Sequence, residues 1–359
     1  MLKHLLLAGL VAMTGGQAEA SCTLLKVADL HVTVENNQIL IPGELEGHPV
    51  KFLFDTSYPG SIIAMNAARR LGVPVSEFGP AVYLGRMGAI YSREEGGFAH
   101  ISEFSLDGHK VRATTFGVFG PKDNFGTPDI VASLGSDFWS GYDVEIDLPH
   151  NVITLFHPKD CAAHNLAYWG NDYNVADLAH YGLRTEVMIK LNGHDVTAII
   201  DSGSRYSTLT ERTAARLGVK RGDSPILGED RPQNVQPTDL LSLIRFSRGI
   251  GLRATMSSPD VRLSGPPDIS SESGPSTYWL TSFNKLQIDE ENISPMGFRV
   301  VPTPQGLEAE TGSHIKNRLV DYDILLGVDF LKAHRLLLSN SQGKLYFTYV
   351  GGIDFAKPF

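Results

Sequence analysis

Residues 47–73, GHPVKFLFDTSYPGSIIAMNAARRLGV, align without a gap on residues 193–219, GHDVTAIIDSGSRYSTLTERTAARLGV, at a constant offset of 146. Ten of the 27 positions are identical, where chance at ordinary residue frequencies gives roughly one or two. The chain therefore carries a duplicated unit, and two copies specify two related lobes rather than a solenoid array. A second matched pair lies further on, Leu134-Gly135-Ser136-Asp137-Phe138 against Leu326-Gly327-Val328-Asp329-Phe330, at an offset of 192, which makes the second copy 46 residues longer. The excess falls in residues 221–277, rich in Pro, Ser, Gly and Asp. Such a composition cannot bury enough apolar surface to order itself, which predicts a long surface loop or lid, partly disordered.

Each copy reads as strand, sharp turn, strand or loop, then short helix. Val50, Phe52 and Phe54 precede Asp55, and Val196, Ala198 and Ile200 precede Asp201, so each acid sits at the end of a largely buried strand. Ala64 to Leu71 and Thr210 to Leu217 have helix-forming content, with Gly72 and Gly218 placed as C-terminal caps. Further on, Tyr142 to Leu148 and Val152 to Phe156 flank a Pro-His-Asn turn, and Leu336 to Leu338 and Lys344 to Phe347 flank Ser-Asn-Ser-Gln-Gly. These are expected as hairpins closing each lobe. Residues 161–180 show no clear period and read as a linker, giving an N-terminal lobe over 21–160 and a C-terminal lobe over 181–359.

Composition agrees with a turn-rich β protein. Thirty-six glycines in 359 residues exceed the usual ~7%, and charged residues at 20% fall short of the usual ~25%. A net charge of −9 offers no basic footprint for phosphate backbones, so nucleic acid is not an expected partner. Residues 1–20 read as a secretory signal peptide. Lys3 and His4 start it, LLLAGLVAM at 5–13 is too short to span a bilayer, and Ala18-Glu19-Ala20 offers a small-x-small cleavage site. No other stretch reaches transmembrane length, and the mature chain is expected to be periplasmic or secreted. Cys22 and Cys161 are the only cysteines. An even count in an exported chain favours a disulfide closing the first lobe, the alternative being two unpaired thiols. No Cys pair has metal-ligand spacing and the twelve His residues are scattered, so neither a metal nor a cofactor is indicated.

A single Asp after an apolar strand is most simply a turn or cap residue. Two of them at equivalent points of duplicated lobes are different, because a pseudo-twofold axis can bring equivalent points together. Two facing carboxylates cannot both ionise comfortably. They share a proton, and one can act as base toward a water while the other polarises a carbonyl.

FLFDTSYPGS (52–61) and AIIDSGSRYS (198–207), followed by SLGSDF (133–138) and LLGVDF (325–330), resemble the aspartic proteases, specifically the retropepsin-like proteins of bacteria. The likeness covers most of the mature chain as two fused copies. It implies a mostly β, bilobal fold of two pseudo-twofold related β-barrel lobes with short helices. In that family each lobe supplies an Asp-Thr/Ser-Gly loop with an apolar-apolar-Gly segment packed beneath. By position, Asp55 and Asp201 are then the catalytic dyad, and the hydroxyls of Thr56 and Ser202 tie the loops together. Leu134-Gly135 and Leu326-Gly327 become the supporting turns. The second lobe fits fully, with Gly203 after Ser202. The first departs twice, with Ser57 where the family has Gly and Ser133 where an apolar residue is usual.

Residues 81–100, AVYLGRMGAIYSREEGGFAH, carry glycines at 85, 88, 96 and 97 with Tyr83 and Tyr91. This is the composition of a mobile hairpin, placed where the family has its flap, though an ordinary surface hairpin reads the same way. The sequence thus points to an aspartic endopeptidase acting on a peptide or protein substrate. The competing reading is an inactive protein of the same shape that binds extended peptides. A monomer is expected, and the alternative is a homodimer in which two second lobes build a symmetric Asp201 pair.

Overall fold

The computed structural model describes residues 21–78, 83–85, 88–90, 96–119, 125, 127–181, 184–221, 278–294, 296–303 and 322–352. The signal-peptide reading of residues 1–20, Tyr91, and all but the first residue of the 221–277 insertion lie outside them. The chain is mostly β, and the α-helices among the described residues are four to six residues long, such as Met65–Arg70 and Glu211–Arg216.

The two aligned segments fold alike. In the first lobe, strand His48–Phe54 runs parallel to Ile130–Leu134, which is antiparallel to Ile62–Ala64, which is parallel to Thr114–Phe119. In the second, His194–Ile200 runs parallel to Ile324–Leu326, which is antiparallel to Thr208–Thr210, which is parallel to Met296–Val301. The register matches as well, Phe54 lying opposite Leu134 and Ile200 opposite Leu326. Both acid-bearing strands start exposed and end buried on both faces at the last three residues. That is why FLF and AII replace simple alternation just before the acids. The helices end where the glycines predict, Gly72 at φ 68° and Gly218 at φ 75°.

One buried position sets the lobes apart. Ser133 pairs with Leu53 and Ile62 and is fully buried, and its hydroxyl has no hydrogen-bond partner among the described residues. Leu325 takes the equivalent place in the second lobe. Ser133→Ala removes the unsatisfied group at little cost in volume, so it should raise stability by about 1 kcal/mol. Urea denaturation reads this as a higher midpoint at unchanged m, and an unchanged or lower midpoint would mean the hydroxyl is satisfied.

The terminal hairpins do not close their own lobes. Strand Asp143–Asp147 pairs with Val152–Lys159 on one side and, across the lobe boundary, with His334–Ser339 on the other. The order Thr23–His31, Val152–Lys159, Asp143–Asp147, His334–Ser339, Lys344–Tyr349, Asn174–Tyr181 makes one shared six-strand stretch. Asp143–Asp147 is buried at all five positions and Leu336, Leu337 and Leu338 are buried in a row. A strand buried on both faces needs a neighbour on each edge, and each hairpin supplies the other's. The acids at 143, 145 and 147 are matched from the partner lobe. Ser339 Oγ donates to Asp143 at 2.7 Å, and Arg335 Nε donates to Glu145 at 2.6 Å and lies 3.2 Å from Asp147. Asn174–Tyr181, all but its last residue inside the stretch read as a linker, is a strand of this sheet, and its small alanines obscure the alternation. Cys22 and Cys161 form a disulfide with Cα atoms 4.5 Å apart, fastening the outer strand Thr23–His31 beside its partner Val152–Lys159.

Candidate active site

Asp55 and Asp201 each leave a strand end and are caught at once by the turn beneath. Asp55 N donates to Leu134 O at 3.1 Å and Asp201 N to Leu326 O at 2.9 Å. The turns themselves are held in matching fashion, with Ser136 N donating to Tyr58 O at 2.7 Å and Val328 N to Ser204 O at 2.9 Å. Glycine is required there by space. A Cβ on Gly135 would stand 2.5 Å from Gly60 O, and one on Gly327 would stand 2.6 Å from the Tyr206 carbonyl carbon.

A second matched clamp was not foreseen from the sequence. Ser61 Oγ donates to Asp137 at 2.8 Å and accepts from Gly135 N at 3.1 Å. Ser207 Oγ donates to Asp329 at 2.7 Å and accepts from Gly327 N at 3.0 Å. The signal was present, because Ser61 and Ser207 are identical in the first alignment and Asp137 and Asp329 in the second. Burial pushes the Asp329 carboxyl up, while Ser207 and the charge of Arg299 oppose that rise.

The two loops are tied to each other across the lobe boundary. Thr56 Oγ1 donates to Ile200 O at 2.7 Å and accepts from Ser202 N at 3.1 Å. Ser202 Oγ donates to Phe54 O at 2.9 Å and accepts from Thr56 N at 2.9 Å. Four buried bonds related by a twofold axis thus fix the relative position of the two acids, as the resemblance implies for Thr56 and Ser202.

The carboxyl groups themselves are buried, Asp55 at 1% and Asp201 at 0% exposure. Asp55 Oδ1 accepts from the backbone N–H of Ser57 and of Tyr58, both at 2.9 Å. Asp201 Oδ1 accepts from Gly203 N at 3.0 Å and Ser204 N at 3.2 Å, and its Oδ2 accepts from Ser204 Oγ at 2.6 Å. Ser57 Oγ lies 2.7 Å from Asp201 Oδ1 and 3.1 Å from Asp55 Oδ1, so one hydroxyl oxygen touches both acids. Gly203 has no such room, since a Cβ there would meet Asp55 Oδ2 at 2.6 Å.

Burial, and then the charge of Asp201, push Asp55 up to about 7. Burial raises Asp201 too, against the hydrogen bonds of Ser204, Ser57 and Gly203. A carboxyl raised on folding means that the folded chain holds its proton more tightly than the unfolded one. The stability from that linkage is complete below about pH 4 and is lost as pH rises through about 7. Thermal melts should therefore fall from mildly acid to mildly alkaline pH, and a melting temperature that rises over that range would contradict a buried, proton-sharing pair.

Tyr83 lies on the short strand Tyr83–Gly85, paired with Gly88–Ile90. The flanking strands Val75–Phe78 and Gly96–Ile101 pair antiparallel at the base of the same hairpin. In the second lobe the chain between helix Glu211–Arg216 and strand Trp279–Phe283 takes the same place in the order, because Trp279–Phe283 pairs with Met296–Val301 as Gly96–Ile101 pairs with Thr114–Phe119. In chain order, the additional residues thus fall between the same two elements as the first lobe's hairpin. Among the described residues no group of three or more His, Cys, Asp or Glu is placed to hold a metal ion, and no helix is long and apolar enough to cross a membrane.

The family model for aspartyl proteases matches residues 187–231, the segment that includes Asp201-Ser202-Gly203. Among solved structures, a retropepsin-like aspartic protease from Rickettsia conorii is similar at 14% identity and a TM-score of 0.27, over 38% of this chain and 95% of that one. Basic 7S globulin from soybean is similar at 11% identity and a TM-score of 0.42, over 94% of this chain and 99% of that one. No curated protein matches the sequence.

Proposed function

We propose, for a chain that is aspartic-protease-like, that it is an aspartic endopeptidase using Asp55 and Asp201 as its dyad. The supporting observation is that two buried carboxyls, on equivalent strand ends of two lobes, lie within 3.1 Å of one hydroxyl oxygen. At that spacing the pair holds a single proton near neutral pH. The ionised member takes a proton from water as the water oxygen bonds to the peptide carbonyl carbon, and the protonated member gives its proton to the carbonyl oxygen. The C–N bond then breaks as the first acid passes its proton to the leaving nitrogen, and a hydroxyl of the tetrahedral carbon returns one to the second. The reaction takes a peptide or protein substrate, needs no cofactor, and is expected of a monomer in the periplasm or outside the cell.

The test is cleavage of a denatured protein at acid pH, its inhibition by pepstatin, and the mass of the active species. Inhibitor-sensitive cleavage by a monomer supports the reading. A second reading is favoured by one observation: Ser57 Oγ stands between the carboxyls, in the space an attacking water needs. Absence of cleavage together with binding of extended peptides would make the chain a peptide-binding protein.

A further inference from the structure

We propose that Ser57 is a positioning residue whose hydroxyl fixes where the dyad's proton sits, making Asp201 the carboxylate and Asp55 the carboxylic acid. The proposal rests on the dyad assigned above but not on turnover. A hydroxyl carries one hydrogen, so Ser57 can donate to only one of its two neighbours. The 2.7 Å contact to Asp201 is the charge-assisted length, and the 3.1 Å contact to Asp55 is not. With that hydrogen committed to Asp201, an ionised Asp55 would set lone pairs against the lone pairs of Ser57 Oγ.

The other donors are unequal in the same sense. Asp201 receives two backbone N–H groups and two hydroxyls, Ser204 from its own lobe and Ser57 from the other. Asp55 receives two backbone N–H groups, and the position matching Ser204 is Tyr58. Hydrogen bonds to a carboxylate favour its charged form, so negative charge belongs on Asp201. The two motif differences, Ser57 for Gly203 and Tyr58 for Ser204, therefore act together, each adding to Asp201 or withholding from Asp55.

The remaining titratable or charged groups on the turns packed against the pair are already engaged. Asp137 is held by Ser61 and Asp329 by Ser207, Arg205 donates to Gln38, and Arg299 lies 3.5 Å over the Tyr206 ring. The Tyr58 phenol is pushed up by burial and by the charges of Asp55 and Asp137, and it stays neutral.

The measurement is a pH titration of the full chain labelled with 13C at the aspartate carboxyls. Asp55→Asn and Asp201→Asn variants identify the two signals. In the natural protein Asp201 should ionise at lower pH than Asp55. Ser57→Ala, which keeps the bulk and removes the hydroxyl, should raise the Asp201 midpoint by about one pH unit, the size of one hydrogen bond to a charged group. Ser57→Thr, which keeps the hydroxyl, should leave it in place. Asp55 ionising first, or Ser57→Ala leaving both curves unmoved, would overturn the proposal. If Ser57→Ala does not fold, the order of ionisation in the natural chain and in Ser57→Thr still decides. A protein without peptidase activity that shows these titrations would reject the endopeptidase reading and keep this one.

Discussion

Asp201→Asn is expected to lower peptide hydrolysis about 10³-fold, and Asp55→Asn by a similar factor, because a single carboxyl cannot supply both base and acid. The two variants should differ in stability. Asp55 is the member held up to about 7, so an amide there removes the group whose ionisation weakens the fold. Its melting temperature should fall less steeply over roughly pH 5 to 8 than that of the natural protein, because only Asp201, which burial also raises, is left to ionise at the site. In Asp201→Asn an NH₂ replaces one of two oxygens on which four donors converge. That mismatch should cost about 1 to 3 kcal/mol. Turnover on a denatured protein substrate and melts across pH read both effects. Activity kept in Asp55→Asn and lost in Asp201→Asn would point to a homodimer with two second lobes at the site. Activity kept in both would remove the dyad.

Gly327→Ala should destabilise the chain by about 3 kcal/mol, the upper range for forcing a methyl into filled space. The added carbon would stand 2.6 to 2.8 Å from the carbonyls of Ser204 and Tyr206, which are backbone atoms with nowhere to go. Its dihedrals are ordinary, φ −88° and ψ −169°, so the cost comes from contact and not from conformation. Moving those carbonyls also moves Ser204, and with it the hydroxyl and N–H that hold Asp201. Activity should therefore fall further than the fraction unfolded. Gly135→Ala should behave likewise against Gly60 and Tyr58. Gly141→Ala, with nothing within 4 Å of the new carbon, is the control and should change stability by less than about 0.5 kcal/mol. Equal melting of Gly327→Ala and Gly141→Ala would refute the close-packed turn.

What the sequence made legible was what the duplication repeats. Asp55 and Asp201, the strands before them, the capped helices and the Leu-Gly turns follow from two alignments, since a feature kept in both copies stands out from a chance turn residue. The Ser61–Asp137 and Ser207–Asp329 clamps were equally repeated, but their halves lie in different alignments, and only the packing of the turn under the loop joins them. The shared sheet was illegible for another reason. Leu336–Leu338 reads as a buried strand in any sheet, and nothing local says that its partner is Val144–Ile146 of the other lobe. Ser57 was legible as a departure but not in its direction, because the same side chain could have turned away from the acids. Its placement depends on one torsion within a space that both loops shape.

The shared sheet also bears on how the chain is made. Asp143 finds its partner at Ser339, 196 positions later, so during synthesis the first lobe is complete while one edge of a fully buried strand lies open. Contacts of such separation are formed late and slowly, and an unpaired, buried-type edge is a template for any other strand that reaches it. A chain released before residue 334 would thus present Asp143–Asp147 without Arg335, Ser339 and Ser341, leaving Glu145 to Tyr168 and Asp147 to His150. Three acids on one strand are expected to disfavour pairing between two such edges, since like charges placed opposite each other are destabilising. The acids that Arg335, Ser339 and Ser341 cover in the complete chain are thus expected to act against self-pairing in an incomplete one.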